Sequence, residues 1–529
     1  MKYAILLCLA SLSLKTLSQV NSWHFEDPSS GEIHGIALDR AYDLLKGKSS
    51  KTVIVAVIDS GVDIDHEDLV GKIWTNTKEV AGNGIDDDNN GYIDDVHGWN
   101  FIGGVDGTNV EFDTYELTRE YARLKSKYEF KTTPGEENEE EFNYWLDLKQ
   151  KYQNRSTEAM KQYIFYRDIR NNTLGMIESM SILLGHDNFT KRELDTIKVD
   201  KNTIKAVQSR LSDMMSLFDM DSIAHVKDYL DEALEHFEVQ VKYGYNIEYN
   251  PRKIIGDNWE DPYERGYGNN DVEGTFADHG THVAGIIAAN RNNNLGIQGI
   301  ADNVLIMPIR TVPNGDERDK DVANAIRYAA DNGAKIINMS FGKSFEFRRS
   351  VVDEAIDYAT KKGVLFVQGA GNSNKSSDEV PNYPTPIRLQ PDTTHLLNYI
   401  SVGATSELAN ADFVASFSNY GRRSVDLFAP GVQIYSTVPD NGYEPFDGTS
   451  MASPVVAGVA ALIMSYYPDL SPIQVRQILL DSVMTYDELI VKVPGVEKTT
   501  NFSNLSISGG LINAARAVEL AESLKIKSK

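Results

Sequence analysis

Cysteine is almost missing: Cys8 is the one example in 529 residues. No disulfide can form within the chain, and a cysteine-based metal cluster is excluded. Positive charge is also short. Lys and Arg number 52 against 77 Asp and Glu, a formal net charge of −25. That excludes a general nucleic-acid binder, which needs a basic face against phosphate, and disfavours adhesion to anionic membrane surfaces. Long apolar runs are scarce. Beyond the N-terminal segment the longest is Ala452 to Met464, below the ~20 residues that span a bilayer. What is present is an ordinary globular mixture, 41% apolar and 24% charged. The length allows several domains and a large core that needs no covalent staple.

The first 18 residues read as a secretory signal. Lys2 supplies the positive start, Ala4 to Leu14 the short apolar run, and Thr16-Leu17-Ser18 the small residues before a cut at Gln19. Leu7 stands where a lipoprotein signal needs a small residue, which argues against lipidation of Cys8. The expected location is secreted or periplasmic, without stable membrane insertion, and the mature chain then has no thiol.

Residues 19–50 form a polar lead, with helical spacing over Asp39 to Leu45. Val53 to Ile58 is an unbroken, β-branched apolar run, the pattern of a strand covered on both faces. Similar runs recur at Val304 to Ile309, Lys335 to Met339, Val364 to Val367 and Tyr399 to Val402. Helical patterns lie between them: Asp321 to Asn332 stops at Gly333 and Val351 to Lys362 stops at Gly363. This alternation predicts an open, mostly parallel α/β sheet with helices on both faces. Residues 105–265 break the rhythm. Phe142, Trp145, Leu146 and Lys149, then Leu211, Met214, Met215 and Phe218, then Val226, Leu230, Leu234 and Phe237, all fall at helical spacing. The stretch is expected to be an inserted α-helical subdomain that divides the α/β part into 51–104 and 266–520, ahead of a tail at 521–529. Gly135 to Glu141 is an acidic run, the composition of a solvated helix start.

Three segments carry chemistry. Asp59 ends the first buried strand in Ile58-Asp59-Ser60-Gly61. His279 lies in Asp278-His279-Gly280-Thr281-His282. Ser450 lies in Gly448-Thr449-Ser450-Met451-Ala452-Ser453-Pro454. A serine hydroxyl is too weak an acid to attack an amide unaided. An imidazole can take its proton and return it to the leaving amine, and a buried carboxylate fixes the imidazole tautomer. The oxyanion that develops needs donors already in place. The Ser450 N–H at a helix start is one, and Asn372, in Gly369-Ala370-Gly371-Asn372-Ser373, is the candidate for the second. His279 and His282 stand three apart, but no third ligand and no His-Glu-x-x-His pattern accompanies them, so a catalytic metal is not expected.

Taken together, and in the order Asp, His, Ser, these segments resemble the subtilisin-like serine peptidases, the subtilase family. Ile337-Asn338-Met339-Ser340-Phe341-Gly342, Phe417-Ser418-Asn419-Tyr420-Gly421 and Leu427-Phe428-Ala429-Pro430-Gly431 extend the resemblance. It implies a three-layer subtilisin-like α/β fold with a mostly parallel sheet and a helical insertion. It implies Asp59 as orienting acid, His279 as base and acid, Ser450 as nucleophile, Asn372 as oxyanion donor, and His282 as structural. Ser340, Phe341 and Gly342 match the segment that pairs with an extended substrate. The expected activity is a secreted serine endopeptidase acting on protein or peptide substrates through an acyl-enzyme. The rivals are an exopeptidase or processing protease narrowed by the insert, and an inactive binding scaffold.

Calcium is the expected structural ion, with no catalytic cofactor. Asp86, Asp88, Asn90 and Asp94 set oxygens along a loop with Gly91 at the sixth position, the front half of a calcium loop of the EF-hand kind; His97 stands where the full motif needs Glu. The resemblance adds Asp68 and Asn293 as a second set. Two departures from the family pattern stand out. About thirty residues separate the signal from the first strand, too few for a packed pro-domain. The insert between Asp59 and His279 is expected to run over the surface, as a substrate-restricting lid or as a stabilising or dimerising appendage.

Overall fold

The computed structural model of the chain describes residues 22–134, 138–388 and 394–527; the signal segment, Cys8 and the first part of the acidic run lie outside them. The described chain forms two compact units, one of residues up to Glu111 together with Pro251 onward, the other Phe112–Asn250.

The first unit is built on a nine-stranded sheet. Its strands are β1 (Val53–Asp59), β2 (Trp99–Asn100), β3 (Val304–Arg310), β4 (Ile336–Met339), β5 (Leu365–Gly369), β6 (Tyr399–Thr405), β7 (Leu427–Pro430), β8 (Met484–Thr485) and β9 (Gly510–Leu511). They run in the order β8-β9-β7-β6-β5-β4-β1-β3-β2, and every pair is parallel except the edge pair β8·β9.

The period of two along β1 explains the three layers. Val53, Val55 and Val57 point to one face, where they pack with helices α1 (Asp278–Ala288) and α4 (Thr449–Tyr466). Ala56 and Ile58 point to the other, against α2 (Asp319–Asp331) and α3 (Arg349–Lys361). A strand buried on both sides needs no polar alternation, which is why the run reads as uniformly apolar. The turn after α2 is closed by Gly333 at φ +87°, a left-handed position where a side chain would be strained. Helix α4 is long and apolar enough to cross a membrane by composition, yet 94% of it is buried. It is the central core helix.

The second unit is all helical. Its frame is one helix of 46 residues, Glu139–Leu184, opened by the Asn138 side chain accepting from the Glu140 and Glu141 N–H groups. Glu116–Tyr128, Asn202–Leu217 and Ile223–Val239 pack in the same unit. Leu211, Met215, Val226 and Leu230 meet Ile177 and Met180 in a separate apolar core. Leu146, at helical spacing with its neighbours, is instead 46% exposed.

Candidate active site

Asp59 and Ser340 mark the carboxyl ends of adjacent strands. The β1·β4 register pairs Ile58 with Met339, so the residues that follow stand side by side, about 4.8 Å apart by strand spacing. This is where open α/β sheets place their sites.

Asp59 is 2% exposed. Its Oδ1 accepts from His279 Nδ1 at 2.7 Å and from the Ser60 N–H at 2.8 Å. The approach depends on glycine. A Cβ on Gly280 would lie 2.0 Å from the Gly61 carbonyl oxygen and 3.1 Å from Asp59 Cβ, so any larger residue would drive the start of α1 off the strand end. Arg310, the fully buried last residue of β3, holds the Ser60 carbonyl from its Nε at 2.7 Å. The carboxylate bond puts a proton on His279 Nδ1 and leaves Nε2 free to accept. Burial alone would lower the His279 pKa, but the charge of Asp59 and its hydrogen bond outweigh burial and raise it. His282, one turn on, points into the protein. It stacks on Phe446 at 4.3 Å and donates from Nε2 to the Glu444 carbonyl at 3.0 Å. Burial, helped by the nearby His279, lowers its pKa to about 3, so it stays neutral.

Ser450 is the second residue of α4, where N–H groups lack helical partners and the dipole favours negative charge. Its Oγ donates to the Ser340 carbonyl at 3.0 Å, so the hydroxyl is parked against β4. Asn372 follows the end of β5. Its Oδ1 accepts from the Thr449 N–H at 2.9 Å and the Thr449 hydroxyl at 2.8 Å. With the carbonyl end of the amide so held, Nδ2 is the donor left over, and it lies 3.4 Å from the place a Gly448 Cβ would take. A cavity of about 290 Å³ opens here, lined by Ser340, Phe341, Gly342, Gly369, Asn372 and Ser450 among others. Asp316 and Glu317 also line it, and neither was singled out in the sequence. Their signal was position alone, in the loop beyond the carboxyl end of β3. Burial pushes the Glu317 carboxyl up to about 8.

In the acidic loop two of the residues its spacing suggests, Asp86 and Asp88, draw together with a further carboxylate. Ligand oxygens of Glu79, Asp86 and Asp88 lie within 4.8 Å of one another. Asp94 instead accepts from the Asn83 and Gly84 N–H groups, and Asn90 Oδ1 from the Tyr92 N–H. Glu79 stands seven residues before Asp86, outside any loop register, so spacing could not reveal it. Asp68 and Asn293 do meet: Asp68 Oδ1 accepts from Asn293 Nδ2 at 2.7 Å, and Oδ2 from the Ile297 N–H at 3.0 Å.

The structure thus joins the imidazole of His279 to the buried Asp59, and the hydroxyl of Ser450 to the carbonyl of Ser340 at the end of the strand beside β1. The subtilase family model matches residues 50–505, and the chain belongs to that family. It is 45% identical over 188 residues to the thermophilic serine proteinase of Bacillus sp. (strain AK1), covering 35% of this chain and 42% of that one. It is 43% identical over 188 residues to thermitase of Thermoactinomyces vulgaris, 35% of this chain and 61% of that one. Among solved structures it resembles a cold adapted subtilisin-like serine proteinase, 32% identical, covering 45% of this chain and 77% of that one with a TM-score of 0.36. The chain thus spans about half the length of these two relatives.

Proposed function

We propose that the chain is a secreted serine endopeptidase that hydrolyses peptide bonds through an acyl-enzyme on Ser450. The observation that carries the reading is the 2.7 Å bond from His279 to the buried Asp59, on the strand next to the one that leads into Ser340, to which Ser450 is bonded, in a member of the subtilase family. On substrate arrival Ser450 Oγ leaves the Ser340 carbonyl, gives its proton to His279 Nε2 and attacks the scissile carbonyl. The Ser450 N–H and Asn372 Nδ2 hold the oxyanion. His279 passes the proton to the leaving amine as the C–N bond breaks. Water, activated by the same imidazole, then hydrolyses the ester. Asp59 keeps the tautomer and stabilises the imidazolium. The substrates are protein or peptide chains, laid along Ser340-Phe341-Gly342.

Glu79, Asp86 and Asp88 would hold a structural calcium ion. The donor set is all hard oxygen, and Glu79 Oε2 is buried without a hydrogen-bond partner, which a cation would satisfy. Bound to the folded form, the ion would stabilise it.

Incubation with an unfolded protein substrate tests the activity. Fragments with new amino termini are expected from the wild type and none from Ser450→Ala; equal digestion by both would refute the reading.

A further inference from the structure

The cavity that holds Ser450 is lined by two carboxylates, Asp316 and Glu317, and among the described residues no Lys, Arg or His lines it. The loop that brings the two acids there is fixed at both ends. After β3 the Thr311 and Val312 N–H groups donate to the Asp59 carbonyl at 3.0 and 3.2 Å, so the loop hangs from the residue that orients His279. At its far end Asp319, the first residue of α2, accepts from the Phe347 and Arg348 N–H groups at 3.2 and 2.7 Å. Asp319 also pairs at 2.7 Å with Lys343, the buried residue that follows Ser340-Phe341-Gly342. Lys343 donates in turn to the Glu317 carbonyl at 2.9 Å. The acidic loop and the segment 340–343 are therefore bound to each other.

The charges around Glu317 lean negative. Its own loop carries Asp316, Arg318 and Asp319, and Arg318 turns to the ring of Trp259 at 5.9 Å. Glu346, Arg349, Asp353 and Tyr383 share a second, small cavity with Glu317. The cations on this side already have acids beside them: Lys343 has Asp319, and Arg349 has Asp353 at 3.3 Å. Burial is the main reason that the Glu317 carboxyl is pushed up to about 8; Lys343 opposes the rise and Asp316 adds to it.

We propose that Asp316 and Glu317 make this cavity select a basic side chain, Lys or Arg, on the acyl side of the bond that is cut. The inference rests on the serine-peptidase reading above, in which the substrate lies along Ser340-Phe341-Gly342, on the wall of the same cavity. A cation entering there meets two carboxylates in a partly enclosed site, where water and salt screen the attraction less than at an open surface. An acidic side chain meets like charge and is rejected. The selection is graded by pH. Glu317 is protonated below about 8 and adds its charge above it, so the preference for a cation strengthens as pH rises through that value.

The test is a series of internally quenched peptides, identical beyond the cut, with Arg, citrulline or Glu placed in turn at each of the four positions before it. Citrulline keeps the shape of Arg without its charge. The Arg-to-citrulline ratio of kcat/KM therefore reads charge alone, and the titration of His279 cancels from it. At one position wild type is expected to favour Arg over citrulline by about tenfold, the low end for a close charge pair, and to cut the Glu peptide worst. The ratio is expected to rise between about pH 7 and 9. Glu317→Gln, which has the shape of the protonated acid, should flatten that rise, and Asp316→Asn should lower the ratio at every pH. A ratio near one at all four positions, or one unmoved in both variants, would overturn the proposal while the peptides are still cut. No cleavage of any peptide by wild type, together with no turnover of a simple activated ester, would overturn the serine-peptidase reading itself, and the selectivity with it.

Discussion

Ser340 and Ser450 hold each other through crossed hydrogen bonds. The Ser340 hydroxyl donates to the Ser450 carbonyl at 2.8 Å, and the Ser450 hydroxyl donates to the Ser340 carbonyl at 3.0 Å. The first bond has a cause in the sequence. Pro454, four residues after Ser450, has no N–H, so α4 cannot satisfy the Ser450 carbonyl by itself. Ser340 replaces the missing donor. It is oriented in turn by Asn338 Nδ2 at 3.0 Å, and Asn338 Oδ1 accepts from the Ser453 hydroxyl at 2.6 Å. The strand end and the start of α4 are thereby locked in one polar network.

Removing the Ser340 hydroxyl should leave a buried acceptor unmet, at about 1–3 kcal/mol. Ser340→Ala is expected to lower kcat by about tenfold, with a smaller change in KM. Adding Pro454→Ala restores an N–H at the proper helical position and should recover most of the loss. Steady-state kinetics on the two single variants and the double variant checks this; a double variant no better than Ser340→Ala would contradict it.

Asn372 is held through its Oδ1 by the N–H and hydroxyl of Thr449, and the proposed mechanism uses its Nδ2 as oxyanion donor. Asn372→Ala is expected to cost about 10²–10³-fold in kcat, the magnitude known for a side-chain oxyanion donor in a related subtilase, with KM little altered. A loss confined to KM would place Asn372 in binding rather than in oxyanion stabilisation.

The pH profile follows from the His279–Asp59 pair. In the proposed mechanism the neutral imidazole is the active base, and the carboxylate raises its pKa, so activity should fall with acid around a midpoint above the ordinary 6.5. Asp59→Asn removes the charge and leaves burial, which lowers the pKa. The midpoint should then move below 6.5, with kcat down by about 10⁴, the loss known for the corresponding change in an unrelated serine protease. An unmoved midpoint would show that another group titrates.

Chelation should destabilise the protein and added calcium restore it. A ligand at a hundredfold excess over Kd contributes ~2.7 kcal/mol to the folded state. Glu79→Gln with Asp86→Asn is expected to shrink the calcium-dependent shift in melting temperature; an equal shift in that variant would move the ion to another site, such as Asp68 with Asn293.

Much of the core was legible because its elements obey simple periods. Val53 to Ile58 reads as a doubly covered strand since both faces of β1 are packed. Gly333 and Gly363 mark helix ends because each closes its helix at positive φ, +87° and +79°. Other features depend on contacts that no local pattern encodes. The helix Glu139–Leu184 buries nothing between Leu148 and Ala159 or between Ala159 and Thr173, so no continuous stripe reveals its full length. The strand Leu427–Pro430 has four residues and a terminal proline, too little for a period to register. At the site, the residue types were legible from their chemistry, and 220 positions between Asp59 and His279 close to 2.7 Å. The crossed bonds between Ser340 and Ser450 were not, because they need a strand end packed against a helix start, where the Ser340 hydroxyl meets the Ser450 carbonyl that Pro454 leaves without a donor.

The most direct measurement is covalent labelling of the folded protein with an organophosphonate, followed by mass spectrometry of its peptides. The account predicts one adduct, on the Ser450 hydroxyl, absent from Ser450→Ala and strongly slowed in Asp59→Asn. Folded wild-type protein that takes up no label, or takes it up on another residue at an undiminished rate in Ser450→Ala, would contradict it.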